Sequence, residues 1–148
     1  MSKKLVLLAC AVAALSTTAF TAQADETNPT IVHRQGIYKV ASGHMNGLKS
    51  GLFLKGPAEN LTYHAEGIVA AFQHMGNAFP EGTDKGETKA KSNIWTERAK
   101  FDEAGKKAYG AAIALVDATK SGDTAKSVDA FKALGAACKA CHEDFKKD

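Results

Sequence analysis

Near its C-terminus the chain reads Cys138-Lys-Ala-Cys141-His142. On a helix, residues three and four apart project from one face, so both thiols and the imidazole would point the same way. That spacing suits thioether bonds from the two sulfurs to the vinyl groups of a haem, with the imidazole beneath the iron as its axial ligand. A group of that bulk, fixed to one helix, obliges the rest of the chain to leave room for it. The competing uses of the motif are weaker. Zinc would need two further ligands, yet the only other cysteine is Cys10, and His33, His44, His64 and His74 are scattered. A thioredoxin-like dithiol opens a helix in a βαβ setting, whereas this pair lies late in a helix of a chain without strand alternation.

The opposite end reads as an export signal. Lys3 and Lys4 precede an apolar run from Leu5 to Leu15, and Ala22-Gln23-Ala24 is a small-x-small cleavage site. The run is too short for a spanning helix. A lipoprotein cut before Cys10 fits less well, because the apolar run continues past it. Residues 1–24 are therefore expected to be removed, residues 25–148 to form a single domain, and the protein to work in the periplasm. Cleavage removes Cys10 and both signal lysines. The formal charge of +3 then falls close to neutral, which gives no argument for a nucleic-acid partner or a membrane surface.

Between these ends, apolar residues recur at three and four, the signature of helices. The first helix is expected from about Pro29 to Leu54, with Asn28 as its N-cap and Pro29 at the first helical position. Its stripe is Ile31, Tyr38, Met45 and Leu52, with Arg34, Ala41 and Leu48 alongside. The second is expected from about Ala58 to Ala78, striped by Leu61, Ala65, Ile68, Phe72, Met75 and Phe79. A polar link from Pro80 to Lys91 follows. The third helix starts near Ser92 or Asn93, striped by Ile94, Phe101, Ala108 and Leu115. The fourth is capped by Asp123 or Thr124 and striped by Val128, Phe131, Gly135, Cys138, His142 and Phe145. The fold class is all-α, an antiparallel up-down-up-down four-helix bundle. Its stripes are rich in Ala and Gly, which implies either close helix packing or an interior filled by a prosthetic group.

Taken together, the C-terminal Cys138-Lys-Ala-Cys141-His142, the early Arg34-Gln35, and the central Phe79-Pro-Glu-Gly-Thr83 with Ile94-Trp95 resemble class II c-type cytochromes, specifically cytochrome c′. The resemblance covers the whole mature chain, and the position of the haem motif at the C-terminus separates it from ordinary small cytochromes c. It implies one covalent haem c, attached at Cys138 and Cys141 with His142 as proximal iron ligand. The residue four after the family's arginine faces the distal side of the iron, and here that residue is Tyr38. Low-spin relatives carry a ligating methionine there. A neutral phenol is a poor ligand, because its oxygen would first have to lose a proton with a pKa of about 10. The iron is then expected to be five-coordinate and high-spin, with Tyr38 as a gate over it.

Arg34 lies on the inner stripe, where an unpaired guanidinium is costly. A haem propionate would neutralise it, Gln35 could add a hydrogen bond, and the resemblance implies the same role. Phe79 and Phe131 are the aromatics expected against the porphyrin. Met45 and Met75 read as core filler. Gly43, Gly47 and Gly51 form a stripe that allows close approach of another helix. Family members commonly dimerise through the first two helices, so a homodimer is expected; packing against the second helix of the same chain is the other use of the stripe.

The expected function is binding of NO or CO at a redox-active haem, with NO binding or tolerance as the role and no enzymatic reaction. The alternative is a dedicated electron-transfer cytochrome with six-coordinate low-spin haem, whose redox partner the sequence does not identify. A peroxidase would need a distal His–Arg pair, and His33 and Arg34 are adjacent residues that point in different directions on a helix.

Overall fold

The computed structural model describes residues 28–75 and 77–148. The expected signal at 1–24 lies outside them. The described residues form five helices: α1 Pro29–Phe53, α2 Leu61–Gln73, a short α3 Asn93–Thr96, α4 Arg98–Lys120 and α5 Thr124–Phe145. The four long ones make the antiparallel bundle. Among the described residues there is no strand, only an isolated bridge between Ala90 and Lys146, and no helix is long and apolar enough to cross a membrane.

The helix starts follow local chemistry. The Asn28 side chain accepts from the Thr30 and Ile31 amides at 3.0 and 3.4 Å, with Pro29 at N1. Asp123 accepts from the Lys126 amide at 3.1 Å. These contacts satisfy amide groups that an α-helix leaves unpaired at its first turn. α1 ends as expected near Gly56-Pro57, but the left-handed residue is Lys55, at φ 57°. Gly56 is needed for a different reason: a Cβ there would run into Ser50.

Three boundaries differ from the sequence reading, the first being the start of α2 at Leu61 rather than about Ala58. α2 stops at Gln73, so Met75 and Phe79 lie beyond the helix although they continue its three–four spacing. Arg34 of α1 holds the Ala78 carbonyl and Thr83, which draws the chain inward past the helix end. The third helix breaks at Glu97. On either side of the break, Trp95 Nε1 donates to the Pro80 carbonyl at 2.9 Å and Arg98 Nη1 to the Phe79 carbonyl at 3.3 Å.

Around the bundle, α1 packs on α2, α2 on α4 and α4 on α5. The fourth side, between α5 and α1, is far more sparsely joined. The main core is Leu48, Ala65, Ile68, Ala112, Leu115 and Leu134. A second cluster, Ala78, Phe79, Ala90, Ile94 and Phe145, sits at the end of α5. There the loop is stitched to α5 by Lys91 N–H donating to the Phe145 carbonyl and Lys147 N–H to the Lys89 carbonyl, at 3.0 and 2.8 Å.

Candidate functional site

Both expected stripes on the open side divide into a buried edge and a half-buried edge. On α1, Ile31, Arg34, Ala41 and Leu48 are buried, whereas Met45 and Leu52 are half-buried and Tyr38 is 38% exposed. On α5, Ser127, Leu134 and Phe145 are buried, whereas Phe131, Gly135 and Cys138 are half-buried and His142 is exposed. Ser127 and Leu134 were not on the expected seam of the fourth helix. Apart from Phe145, which is buried at the end of the helix, the residues of that seam keep part of their surface.

The two cysteines are free thiols, each packed against a different cluster: Cys138 on the main core, Cys141 on the second. Burial pushes both thiols up, with Cys138 and Asp144 adding to the effect at Cys141. Across the opening stands Tyr38. Its phenol is pushed up to about 12, first by burial, then by the charges of Cys141 and Cys138, with Arg34 opposing. Part of the ring surface is open to solvent, yet the protein packed around it desolvates the phenol. A phenol so perturbed stays neutral at any physiological pH. Its ring meets Phe79 edge-on, centroids 6.4 Å apart, and Phe79 in turn packs on Phe101 at 4.8 Å. His142 follows Cys138 by one turn; partial desolvation and the Lys146 cation hold its imidazole below the ordinary value.

Arg34 is 2% exposed, and burial lowers its pKa, with Tyr38 acting the other way. Among the described residues it has no carboxylate partner. All the acceptors it meets are neutral: Thr83 Oγ1 at 2.7 Å and the Ala78 carbonyl at 3.4 Å from Nη1, the Thr83 carbonyl at 2.6 Å and Thr88 Oγ1 at 2.7 Å from Nη2. Thr83 and Thr88 are the partners the sequence reading missed: Thr83 closes the central Phe79–Thr83 stretch, but no local pattern ties it or Thr88 to a side chain 49 and 54 residues away. Gln35 donates to the Glu87 carbonyl at 2.7 Å.

Of the expected site residues, the fold brings Arg34, Tyr38, Phe79, Cys138 and Cys141 to one end of the α1–α5 opening. Phe131 is two turns from Cys138, about 10 Å along the axis, and rests against Phe53 at 5.4 Å. Met45 packs against the main core and Met75 against the second cluster. Cys141 also borders a groove of about 510 Å³ between α4 and α5, with Ala99, Ala104, Ala137 and Ala140. Neither Tyr38 nor Arg34 reaches it. Among the described residues no three His, Cys, Asp or Glu side chains cluster to hold a metal ion.

This arrangement fits a covalently held haem. Two free thiols and an imidazole share one helix, the facing side of the bundle is loosely closed, and a buried cation on α1 meets only neutral acceptors among the described residues. Such a cation is costly unless an anion compensates it, and the Arg34 Nε–H remains for one.

Comparison with known proteins gives one result. Residues 29–146 match the family model described as cytochrome c′. The cytochrome c′ of Rhodospirillum rubrum is 36% identical over 98% of this chain and 99% of its own length. A solved cytochrome c′ with ligand-controlled dimer dissociation superposes with a TM-score of 0.76 at 28% identity, covering 81% of this chain and 95% of the other. A variant of cytochrome c prime from Alcaligenes xylosoxidans, solved as a nitric oxide complex, gives a TM-score of 0.74 at 26% identity, with 80% and 94% covered.

Proposed function

The chain belongs to the cytochrome c′ family, which binds one covalent haem c, and from that premise we propose that it is a periplasmic receptor for NO or CO. Cys138 and Cys141 carry the thioethers and His142 ligates the iron. When bound, the haem would supply a redox-active iron able to take a diatomic ligand. What this chain supplies is the wall opposite that iron. The observation that carries the reading is Tyr38 on α1, whose ring packs edge-on against Phe79 with centroids 6.4 Å apart while part of its surface stays uncovered on the sparsely joined α1–α5 side.

A neutral phenol neither binds iron strongly nor offers a fixed charge to a polar ligand. Phe79 beside it keeps the wall apolar. Small uncharged diatomics suit such a site, because they lose little by leaving water. For them to enter, Tyr38 must turn aside. The nitric oxide complex of the Alcaligenes relative supports this ligand class, and the ligand-controlled dimer of another relative supports a homodimer. Dedicated electron transfer would call for a second strong ligand, and both methionines near the bundle interior are engaged in packing. Peroxide chemistry is not favoured either: His33 is exposed while Arg34 is buried.

The test is the optical spectrum of the ferric and ferrous protein with and without CO and NO. A broad high-spin spectrum that shifts on adding either gas is expected. A split low-spin ferrous α band, unchanged by CO, would turn the assignment to the electron-transfer cytochrome.

A further inference from the structure

Arg34 is arranged for more than holding an anion. A guanidinium has five N–H groups, and the loop after α2 uses four of them. Both terminal nitrogens are committed, so the loop is built around this one side chain. Thr83, 4% exposed, donates its hydroxyl proton to the Pro80 carbonyl at 2.8 Å, which leaves its lone pairs for Arg34. Thr88 Oγ1 accepts from the Ala90 amide at 3.1 Å as well as from Arg34. The neighbouring Gln35 holds the same loop at Glu87. The residues so held form no helix or strand, and Gly82 and Gly86 take positive φ of 78° and 88°, so the loop has little order of its own.

One side chain of that loop enters the site. Phe79 lies beneath the guanidinium, with the Arg34 carbon 4.8 Å from its ring centroid, a cation–π distance. The same ring meets Tyr38 edge-on, centroids 6.4 Å apart. Arg34 and Tyr38 are also one helical turn apart on α1. The contacts thus run from Thr83 and Thr88 to Arg34, from Arg34 to Phe79, and from Phe79 to Tyr38.

We propose that Thr83 and Thr88 are positioning residues for the distal wall: they hold Arg34, Arg34 fixes Phe79, and Phe79 sets the resting orientation of Tyr38 and so the rate at which a diatomic ligand enters. The proposal rests on the reading of Tyr38 as the gate. Removing the Thr83 hydroxyl without changing side-chain shape releases one Nη1 bond and frees the loop around Phe79, so Tyr38 turns aside more readily.

The experiment uses the haem-loaded protein and CO. Stopped-flow association is measured for the ferrous wild type, Thr83→Val, Thr83→Ser, Tyr38→Ala and the Thr83→Val/Tyr38→Ala pair, with hydrogen exchange of residues 78–90 followed in parallel. Thr83→Val should loosen the loop and speed CO entry at least about threefold, Thr83→Ser should restore both, and the double variant should be no faster than Tyr38→Ala, since coupled residues do not add. If Thr83→Val does not fold, Thr88→Val, at a half-buried position, carries the same expectation. A looser loop with an unchanged CO rate, or independent addition in the double variant, would overturn the proposal and leave the gate standing. An unchanged rate in Tyr38→Ala would remove the gate itself, and this proposal with it.

Discussion

Helix α1 is finished differently along its two edges. Toward α2 the fit is reciprocal. The His44 ring of α1 occupies the place a Cβ would take at Gly67 of α2, and the His64 ring of α2 occupies the place a Cβ would take at Gly47 of α1. The two imidazoles meet with Nδ1 atoms 3.2 Å apart, and Tyr63 packs edge-on against both. Toward α5 there is no such interlocking. Tyr38, Met45 and Leu52 keep part of their surface, and so do Phe131 and Cys138 across from them. One seam is closed by interlocking side chains; along the other, bulky side chains stay partly uncovered. Glycine marks the first, and bulky residues with too few neighbours mark the second.

The sharpest way to break this contrast is to remove what the open seam is built to hold. Replacing Cys138 and Cys141 by Ala should abolish haem that survives acid acetone, read as the loss of the c-type pyridine haemochrome. The closed seam should respond to a single methyl group. Gly47→Ala or Gly67→Ala places a Cβ inside an imidazole ring, and such overpacking costs about 1–3 kcal/mol, offset by up to about 1 kcal/mol of helix propensity. Urea melts should therefore show a net loss. Gly43→Ala, with nothing within 4 Å of the new atom, should instead gain up to about 1 kcal/mol.

The smallest effect is on pH dependence. Burial, and then the His64 charge, hold the His44 imidazole below its ordinary value. The unfolded chain therefore binds this proton more readily than the folded one, and stability depends on pH in proportion to that difference. The contribution is fully present above about pH 6.5 and is lost as pH falls through the lowered folded value. Thermal melts should decline on acidification, and His64→Gln should flatten that decline.

Much of this was legible in the sequence. The helical setting of the Cys138–His142 motif and the Asn28-Pro29 and Asp123 starts follow from local rules, and each sits where those rules put it. Phe79 was misplaced on α2 because three–four spacing records which residues are apolar, not where the backbone leaves the helix axis. Its true position depends on Arg34, 45 residues earlier in the chain, and on hydrogen bonds to a loop without periodicity. The seam of α5 was drawn through Gly135 and Cys138, while Ser127 and Leu134 proved to be its buried line. Which edge of an amphipathic stripe is fully covered depends on how closely the neighbouring helices approach. The glycine stripe on α1 left two uses open. Gly47 and Gly51 meet His64 and Leu61 of α2, so those two glycines serve packing within the chain.

The central claim is that the loosely closed α1–α5 side admits a diatomic ligand under the control of Tyr38, and CO binding to the ferrous protein measured by stopped flow for wild type and Tyr38→Ala tests it most directly. Entry in the wild type should be slow and the variant roughly tenfold faster, equivalent to about 1.4 kcal/mol of barrier. Equal rates in the two proteins, or no CO binding by the wild type, would contradict it.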